Sequence, residues 1–363
     1  MANNKIHICY LADASSIHTL KLVDYFNKKG YRVSVISFNP GAIEGVNIYF
    51  INLGFLSRFK LKYLLGLPKV KRLLAELKPD ILHAVYLTSY GFVGSLTQFH
   101  PFIISAIGSD VTIRPRKSFI LKLLVKYAIK RANLIHSQAA HLTKELISLG
   151  AKPEQVITFT YGVDLRLFKQ KKENDPQNKK QRIIISTRAF EAIYNLELLI
   201  YSIPKVLKEI SDVKFLLIGS GKQERKLKEL ARKLGVSQSV EFLGKLSNEE
   251  VLNYLSRADI YISTSLSDGQ SLSLLEAMAS GVFPIVTDIP SNRVWIRDNK
   301  NGFLCLTDEP NQLSKKILEA LTNDNLRVKA VKRNQALVVE RGSYKKNMEI
   351  MEKYYLQLIS SKN

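Results

Sequence analysis

The sequence predicts two α/β domains, each a doubly wound parallel sheet with helices on both faces. Apolar, β-branched runs alternate with helical patterns through the first half of the chain, and the same alternation returns from residue 182. A polar, charged segment with one proline, residues 169–181, lies between the halves and is typical of a linker. With 363 residues, 46% of them hydrophobic, the chain is too long for one ordinary core and suits two.

The predicted strands are separated by helical patterns. K-I-H-I-C-Y-L is a short apolar strand, and the pattern after it indicates a helix that ends at Gly30. Strands are expected at 5–11, 31–38, 80–85, 102–107, 133–137, 182–188, 213–219, 240–244, 259–265 and 282–288. Further helices are expected at 222–235, 249–258 and 344–359. Because such sheets bind ligands beyond the carboxyl ends of their strands, two such edges can face each other across a central cleft.

Cysteine usage and the beginning of the chain indicate a cytosolic protein. Cys9 and Cys305 both lie in apolar, strand-like runs, where reduced core thiols are more common than a disulfide. The first residues lack a basic region followed by a long apolar core, and no stretch of about 18 uncharged apolar residues occurs. We therefore expect neither a signal peptide nor a membrane span.

The net charge of +22 is the compositional outlier, and it suggests nucleic acid, anionic lipid or phosphorylated substrates as partners. Residues 1–164 hold 21 Lys and Arg against 9 Asp and Glu, a net of +12. Two segments, 54–74 and 114–131, interleave bases with Leu, Ile, Phe and Tyr, as in helices that lie on an anionic bilayer. The alternative for either is a packed helix with a solvated outer face. Two such segments in one half favour peripheral contact with the inner face of the cell membrane.

The stretch S-D-G-Q-S-L-S-L-L-E-A-M-A-S-G, residues 267–281, carries two acids in an otherwise apolar or small run. Asp268-Gly269 follows a predicted strand, and a helix is expected to begin around Ser271 or Leu272. A helix start presents unpaired N–H groups and a partial positive charge, and Gly269 removes a side chain where a ligand would approach. This combination suits a diphosphate.

Glu276, about one turn into that helix, has two interpretations. It is suited to accept hydrogen bonds from ribose hydroxyls, as Asp268 in the loop is from sugar hydroxyls. Alternatively, Ser273-x-x-Glu276 matches a capping box, in which the glutamate only satisfies the helix start. A capping box does not explain the Asp-Gly pair before it.

The array S-D-G-Q-S-L-S-L-L-E-A-M-A-S-G-V-F-P-I-V resembles the signature of family 4 glycosyltransferases, which have the GT-B fold. That signature has two acids separated by seven residues. The resemblance implies that Glu276 binds the ribose of the nucleotide. It implies that Asp268, which stands where glutamate is commoner, binds the donor sugar.

The resemblance covers essentially the whole chain and implies its domain organisation. Residues 1–164 would form an acceptor-binding domain and residues 165–345 a nucleotide-sugar-binding domain, both Rossmann-like. Residues 346–363 would form a C-terminal helix that crosses back to pack on the first domain. Y-G-V-D-L-R-L-F, residues 161–168, resembles the crossing between the domains.

Arg188 matches the arginine that such enzymes place on the donor diphosphate, because a guanidinium presents a planar fork of donors. The usual partner lysine is replaced by Tyr194, followed by Asn195, and Lys222 is a candidate for the missing charge. The residues that the resemblance predicts to bind the donor are Tyr194, Asn195, Gly219, Gly221, Lys222, Leu243, Gly244, Leu246, Gly269, Gln270, Ser271, Leu272 and Glu276. Arg188, Asp268 and Asp110 are predicted to act in catalysis.

The acceptor is expected on the first domain. In I-I-S-A-I-G-S-D-V, family members often have histidine where Ile107 stands, and Asp110 is the remaining polar candidate unless it caps a helix. The other residues predicted on the acceptor side are Ser15, Ser16, His18, Gly108 and Ser109. His83, on an apolar strand, is expected to be a core histidine with satisfied hydrogen bonds.

The resemblance implies a retaining hexosyltransferase that uses a nucleoside diphosphate sugar, with a UDP-sugar preferred, in the assembly of surface polysaccharide or glycoconjugate. The acceptor would be a glycan or a membrane-associated, lipid-linked molecule. The sequence has no D-x-D pair, so no catalytic metal is expected, nor any other cofactor. The alternatives are a sugar-nucleotide epimerase of the same fold and a basic nucleic-acid-binding protein. Because the bases lie among Leu and Ile, lipid is favoured over nucleic acid as partner.

Overall fold

The fold is described from a computed structural model, which describes residues 5–55, 61–168 and 181–361, apart from the side chain at position 117. The predicted linker at 169–181 therefore lies outside the described residues except for Gln181, as do positions 56–60 of the first basic segment. The chain divides into two compact units, residues 1–161 with 345–363, and residues 162–344. The sequence analysis placed these boundaries after residues 164 and 345.

The described part of the first unit is built on a seven-stranded parallel sheet with the order β3-β2-β1-β4-β5-β6-β7. Its strands are β1 His7–Leu11, β2 Arg32–Ser37, β3 Asn47–Phe50, β4 Ile81–Val85, β5 Phe102–Ala106, β6 Leu134–Ser137 and β7 Val156–Thr158. Every residue of the central strands β1, β4 and β5 is buried, as expected where helices cover both faces of a parallel sheet.

Helices connect these strands and cover the sheet. They are α1 Ile17–Lys28, α2 Lys62–Leu65, α3 Leu67–Leu77, α4 Phe92–Thr97, α5 Ser109–Thr112, α6 Arg114–Lys117, α7 Phe119–Arg131 and α8 Ala140–Ser148. A π-helical turn at Leu87–Gly91 precedes α4. Ser16 caps α1 and Ser118 caps α7 through their side-chain oxygens, as N-cap serines commonly do.

The last helix of the chain, α16 Tyr344–Ser360, supplies core residues to the first unit. Tyr355 is fully buried, and its ring stacks on Phe26 at 4.8 Å between centroids. Its hydroxyl contacts the Tyr10 hydroxyl at 3.3 Å and the His83 ring. His83 also contacts Ser105 Oγ at 2.8 Å, so it is the satisfied core histidine that its apolar strand suggests.

The second unit contains a six-stranded parallel sheet within the described residues, in the order β10-β9-β8-β11-β12-β13. Its strands are β8 Arg182–Ser186, β9 Val213–Ile218, β10 Val240–Gly244, β11 Ile260–Ser263, β12 Phe283–Thr287 and β13 Phe303–Cys305. Its helices are α9 Leu196–Glu209, α10 Glu224–Lys233, α11 Asn248–Arg257, α12 Leu272–Ala279, α13 Pro290–Arg293, α14 Pro310–Thr322 and α15 Asp324–Arg341. Apolar clusters pack on the two faces of this sheet.

The sequence analysis did not predict β3, β7 or β13. These strands have three or four residues, and all three are edge strands. Edge strands bury less surface and need no continuous apolar run, so their hydrophobic signal is weak.

Candidate functional site

Helix α12 begins where the loop after β11 ends, and its first turn is built from small polar residues. Ser271 is the N-cap, and its Oγ accepts a hydrogen bond from the Leu274 N–H at 3.3 Å. Leu272 is the first helical residue, as predicted. Ser273 lies inside the helix and is not its cap, so the proposed Ser273-x-x-Glu276 capping box does not form.

Glu276 is half-buried and lines a cavity of about 450 Å³ in the second unit. The cavity lies at the carboxyl ends of β8, β9 and β10, where doubly wound sheets bind ligands. The residues lining it are Thr187, Ala189, Ile218, Gly219, Ser220, Lys245, Leu246, Asn248, Val251 and Glu276. Glu276, Gly219 and Leu246 were predicted to bind the donor. Lys245, Thr187, Ser220 and Asn248 were not.

The side chain of Arg188 points to a polar cluster at the start of α12. Its Nη1 donates to Ser273 Oγ at 2.8 Å and to Ser271 Oγ at 3.1 Å, and its Nη2 donates to Asp268 Oδ2 at 2.6 Å. The guanidinium carbon lies 4.0 Å from the centre of the Tyr194 ring. Thr187 and Ala189, its chain neighbours, line the Glu276 cavity instead. The predicted donor residues thus divide between a cavity and an arginine cluster.

Arg188 and Asp268 form an ion pair with little solvent contact, with 9% and 17% of their side chains exposed. Burial disfavours the charge on Arg188, but the Asp268 carboxylate, Tyr261 and Tyr194 together outweigh it, so the pKa of Arg188 lies above its usual value. Tyr261 donates to or accepts from Ser273 Oγ at 2.8 Å, and burial raises the pKa of Tyr261. The cluster therefore keeps a fixed positive charge beside the helix start.

Hydrogen-bonding capacity is left unused around this cluster. Among the described residues, buried side-chain atoms without a hydrogen-bond partner include Ser186 Oγ, Thr187 Oγ1, Arg188 Nε and both polar atoms of the Gln270 amide. These are five of the ten such atoms found, and they belong to two short segments. Buried polar groups are normally paired, so unpaired groups concentrated at one place suggest a polar ligand.

The G-S-G turn after β9 lies against the strand end that carries Arg188. A Cβ on Gly219 would lie 2.5 Å from the Arg188 carbonyl oxygen, and the φ angle of Gly219 is +150°. A Cβ on Gly221 would lie 2.4 Å from the Phe190 carbonyl oxygen. Both glycines are therefore required for close backbone packing between the two strand ends, whether or not a ligand is bound.

The other predicted donor residues surround these features. Asn195 has a left-handed backbone with φ +47°, and its amide donates to the Thr307 carbonyl at 2.8 Å, which is a structural role. The Gly244 carbonyl accepts the Gly219 N–H at 2.8 Å, and Leu243 is half-buried on the same strand. Lys222 has an exposed side chain and is not among the residues that line the described cavity, whereas Lys245 is.

The first unit contains a cavity of about 310 Å³ at the carboxyl ends of β1, β4 and β5. Ser16 and His18, which were predicted on the acceptor side, both line this cavity, and so does Ile107. The remaining lining residues, which the sequence analysis did not assign to this site, are Asp13, Thr19, Tyr63, Val85, Tyr86, Ser89, Tyr90 and Arg114. Ser15 is exposed, and its hydroxyl donates to Asp13 Oδ1 at 2.7 Å.

Tyr86 forms one wall of this cavity with an unusual backbone, at φ +89° and immediately before the π-helical turn. A bulky residue at positive φ is strained, and such strain and π-turns concentrate at functional sites. The Tyr86 hydroxyl pairs with Ser109 Oγ at 2.6 Å, and the Arg114 guanidinium lies 4.9 Å from the Tyr86 ring centre. Ser109 thus supports the wall of the cavity.

The structure does not support the prediction that Asp110 acts in catalysis. The residue is fully buried, and its carboxylate accepts backbone N–H bonds from Leu87 and Gly108, both at 2.7 Å, and from Ile107 at 3.2 Å. Burial raises the pKa of Asp110, and these N–H donors oppose the rise. Its carboxylate binds backbone N–H groups and is not among the side chains that line the described cavity. The N-cap of α5 is Gly108, so Asp110 is not the helix cap either. It holds the chain on both sides of the cavity, so it is a positioning residue.

Two kinds of feature are absent from the described ranges. No helix there combines the length and apolar character needed to cross a bilayer. In the same part of the chain, no three His, Cys, Asp or Glu side chains come together as possible metal ligands.

Two parallel sheets, each with a cavity at the carboxyl ends of its strands, define a two-domain Rossmann-like protein, and comparison with known proteins gives the family. A family profile described as Glycosyl transferases group 1 matches residues 168–350, just over half of the chain, and one described as Glycosyl transferase 4-like matches residues 7–139. The chain therefore belongs to the group 1 glycosyl transferases and is a GT4-like glycosyltransferase.

Curated relatives support the same class. An uncharacterized glycosyltransferase of Methanocaldococcus jannaschii is 26% identical over 87% of this chain and 86% of its own length. N-acetyl-alpha-D-glucosaminyl L-malate synthase of Bacillus anthracis is 24% identical over 77% of this chain and 75% of its own. Alpha-monoglucosyldiacylglycerol synthase of Streptococcus pneumoniae is 27% identical over 68% of this chain and 54% of its own.

Solved structures share the fold at low identity. Sucrose-phosphate synthase of Thermosynechococcus elongatus superposes with a TM-score of 0.84 at 17% identity, covering 98% of this chain and 100% of the other. Anabaena HepE in complex with UDP superposes with a TM-score of 0.82 at 17% identity and the same coverage. With the two parallel sheets, these matches confirm the predicted two-domain, Rossmann-like GT-B fold.

Proposed function

We propose that this glycosyltransferase moves a hexosyl unit from a UDP-sugar to a membrane-associated or glycan acceptor in the assembly of surface polysaccharide or glycoconjugate. One observation carries the proposal. A half-buried carboxylate, Glu276, lines a cavity at a sheet's carboxyl edge, and five buried polar atoms lack partners, one on Thr187 in the cavity lining and the others on Ser186, Arg188 and Gln270. A ligand rich in hydroxyls and phosphate oxygens would satisfy those atoms.

In this proposal Glu276 accepts hydrogen bonds from the ribose hydroxyls of the bound nucleotide. The N–H groups at the start of α12, around Gly269 and Leu272, face the diphosphate, because a helix start attracts anions. Asp268 has a second task here. Its ion pair with Arg188 keeps the guanidinium charged and in place, and its remaining oxygen is available to a sugar hydroxyl.

We propose Lys245, rather than Lys222, as the cation that replaces the missing lysine at Tyr194. Lys245 lines the same cavity as Glu276, on the loop after β10. Tyr194 meanwhile stacks on the Arg188 guanidinium, which adds a cation–π contact of about 0.5–2 kcal/mol and restricts its rotation. The pair of cations acting on the leaving diphosphate is thus Arg188 and Lys245.

Transfer is proposed to retain the anomeric configuration by front-face attack, with the leaving phosphate accepting the proton of the acceptor hydroxyl. The helix start and Arg188 stabilise the charge that develops on the leaving group, an electrostatic contribution of about 3–4 kcal/mol for one well-placed donor. We also propose that no metal is needed, since the sequence lacks a D-x-D pair. Full activity in the presence of EDTA is the expected result.

Three comparisons support the choice of donor and acceptor. Anabaena HepE was solved with UDP and with UDP-glucose. One relative is named as a monoglucosyldiacylglycerol synthase and another, from Staphylococcus aureus, as a poly(ribitol-phosphate) N-acetylglucosaminyltransferase. We propose, on this basis and on the basic segments of the first unit, an acceptor at the inner face of the cell membrane and no nucleic-acid partner.

The test is turnover of a donor panel by the purified full chain. UDP-, GDP- and ADP-sugars are incubated singly, and release of the nucleoside diphosphate is measured with the anomeric form of the sugar product. Release from a UDP-sugar with retained configuration supports the proposal. Release only from another donor overturns the base assignment, and conversion of the sugar without release of the nucleotide overturns the transferase function in favour of epimerisation.

A further inference from the structure

Helix α7 has apolar side chains on two opposite sides. Val125, Ala128 and Ile129 are buried against the first unit. Phe119, Ile120 and Leu123 face outward and are 74%, 68% and 50% exposed, with Tyr127 beside them at 37%. At 100° per residue these four outward residues fall within an arc of about 100°. Phe119, Ile120 and Leu123 form an exposed apolar stripe, and Tyr127 at its edge has its ring 6.3 Å from that of Phe92.

Bases border this stripe. Lys122 and Lys126 lie on one side of it and Arg131 on the other, all exposed. The segment 114–131 contains seven Lys and Arg and no acid. Arg116 pairs with Glu145 at 2.5 Å, and the guanidinium groups of Arg114 and Arg131 lie over the Tyr86 and Tyr127 rings. Lys122 and Lys126 are exposed on α7.

The first basic segment, residues 54–74, also exposes apolar side chains. Leu61, Leu64 and Leu65, at and within α2, are 56%, 45% and 42% exposed. Between them Tyr63 turns inward, and its ring packs on Phe38 and Tyr90 at 5.0 and 5.5 Å between centroids. The Tyr63 ring therefore faces the interior of the unit, whereas the three leucines around it face solvent.

Both segments border one cavity. Tyr63 from the first segment and Arg114 from the second line the 310 Å³ cavity of the first unit. We call the exposed residues Leu61, Leu64, Leu65, Phe119, Ile120 and Leu123, with Lys122 and Lys126, the basic-apolar rim. Exposed apolar groups are scattered on ordinary surfaces, but here Leu61, Leu64 and Leu65 flank Tyr63 of the cavity lining, and the α7 residues follow Arg114 of the lining closely in the chain.

We propose that the basic-apolar rim docks on an anionic lipid bilayer, so that the first-unit cavity opens at the level of the lipid headgroups and takes a lipid-linked acceptor from the membrane. A bilayer accepts both parts of the rim at once, since the stripe enters the acyl boundary and the bases meet lipid phosphates. Nucleic acid would pair with the bases but leave Phe119, Ile120 and Leu123 in water. The acceptor part rests on the proposed function, whereas the docking does not.

The test is co-sedimentation of the full chain with vesicles of phosphatidylcholine alone and of phosphatidylcholine mixed with phosphatidylglycerol. Phe119→Ser with Leu123→Ser should weaken binding to the anionic vesicles about tenfold or more. Lys122→Glu with Lys126→Glu should weaken it about thirtyfold, at roughly 1 kcal/mol for each base lost. The matched controls are Tyr201→Ser with Val328→Ser and Lys205→Glu with Lys208→Glu, exposed residues of the second unit.

Each outcome decides the proposal. Loss of binding in the rim variants alone, with unfolding midpoints unchanged and hydrolysis of a soluble donor retained, supports it. Equal binding by rim and control variants overturns it, as does binding to duplex DNA in preference to the anionic vesicles. Normal vesicle docking without any sugar transfer would instead refute the proposed function and leave the docking surface standing.

Discussion

Replacement of Arg188 by alanine tests the electrostatic part of the proposed function. The guanidinium donates three side-chain hydrogen bonds, to Asp268, Ser271 and Ser273, and stacks on Tyr194. Its removal leaves the Asp268 carboxylate, 17% exposed, without its cation. Breaking a buried pair costs about 3–5 kcal/mol, and we expect the lower end because Asp268 keeps some contact with water.

The replacement should also lower the turnover of the protein that remains folded. Removal of one donor that stabilises a leaving-group charge lowers kcat about 10²- to 10³-fold. The assay is nucleotide release from the donor, measured on protein shown to be folded by urea titration. Arg188→Lys keeps the positive charge but lacks the planar fork of guanidinium donors. It replaces the alanine variant in the assay if that variant does not fold.

The control is Arg225→Ala. Arg225 makes an exposed ion pair with Glu229 four residues away, so its loss should leave both stability and turnover nearly unaltered. Asp268→Asn tests the ion pair separately from the guanidinium. It keeps Arg188 but removes the negative charge that holds the guanidinium in place. If folded Arg188→Ala turned over donor within about threefold of wild type, the leaving-group role of Arg188 would be wrong.

Three further predictions concern other parts of the two units. Lys245→Ala should raise KM for the donor about tenfold, or about 1.4 kcal/mol, whereas Lys222→Ala should not; equal effects would contradict the choice of Lys245. Gly219→Ala should cost more than about 2 kcal/mol in urea unfolding because its Cβ would meet the Arg188 carbonyl, while Gly235→Ala, with open space and φ +69°, should cost about 1 kcal/mol. Burial lowers the pKa of His136 to about 4. The unfolded chain therefore binds more protons than the folded one between about pH 6.5 and 4, so His136 alone should lower the unfolding free energy by about 2 kcal/mol from pH 7 to pH 5. Burial also lowers the pKa of His83, which adds to this fall, and a flat profile would contradict the prediction.

The fold was largely predictable from the sequence because buried parallel strands need continuous apolar runs, which stand out between helical patterns. The three missed strands lie at the edges of the sheets, where this requirement is relaxed. The position of Glu276 was predictable for a related reason. An acid in an apolar helix that follows Asp-Gly suggests a surface that meets a ligand.

The direction of the Arg188 side chain was not predictable. Its neighbours Thr187 and Ala189 line the cavity, and alternation along the strand end turns Arg188 the other way, towards Asp268. The motif identifies the residues, but only the packing of the G-S-G turn determines which side faces the cavity.

Asp110 and the first-unit cavity show a second limit. The carboxylate of Asp110 accepts the N–H of Leu87, which is 23 residues away in the chain. Tyr63 and Arg114 line one cavity although 51 positions separate them. Contacts of this kind depend on strand order, which local patterns do not specify.

The most direct test of the central claim is calorimetric titration of UDP into the wild-type chain and into Glu276→Gln. The amide is nearly isosteric with the carboxylate but loses the charge and part of the acceptor capacity that the ribose hydroxyls would use. We expect UDP to bind the wild-type chain and to bind Glu276→Gln about tenfold or more weakly, with the unfolding midpoint unchanged. Equal affinity for UDP in both proteins, or no binding of any nucleoside diphosphate to the wild type, would contradict the account.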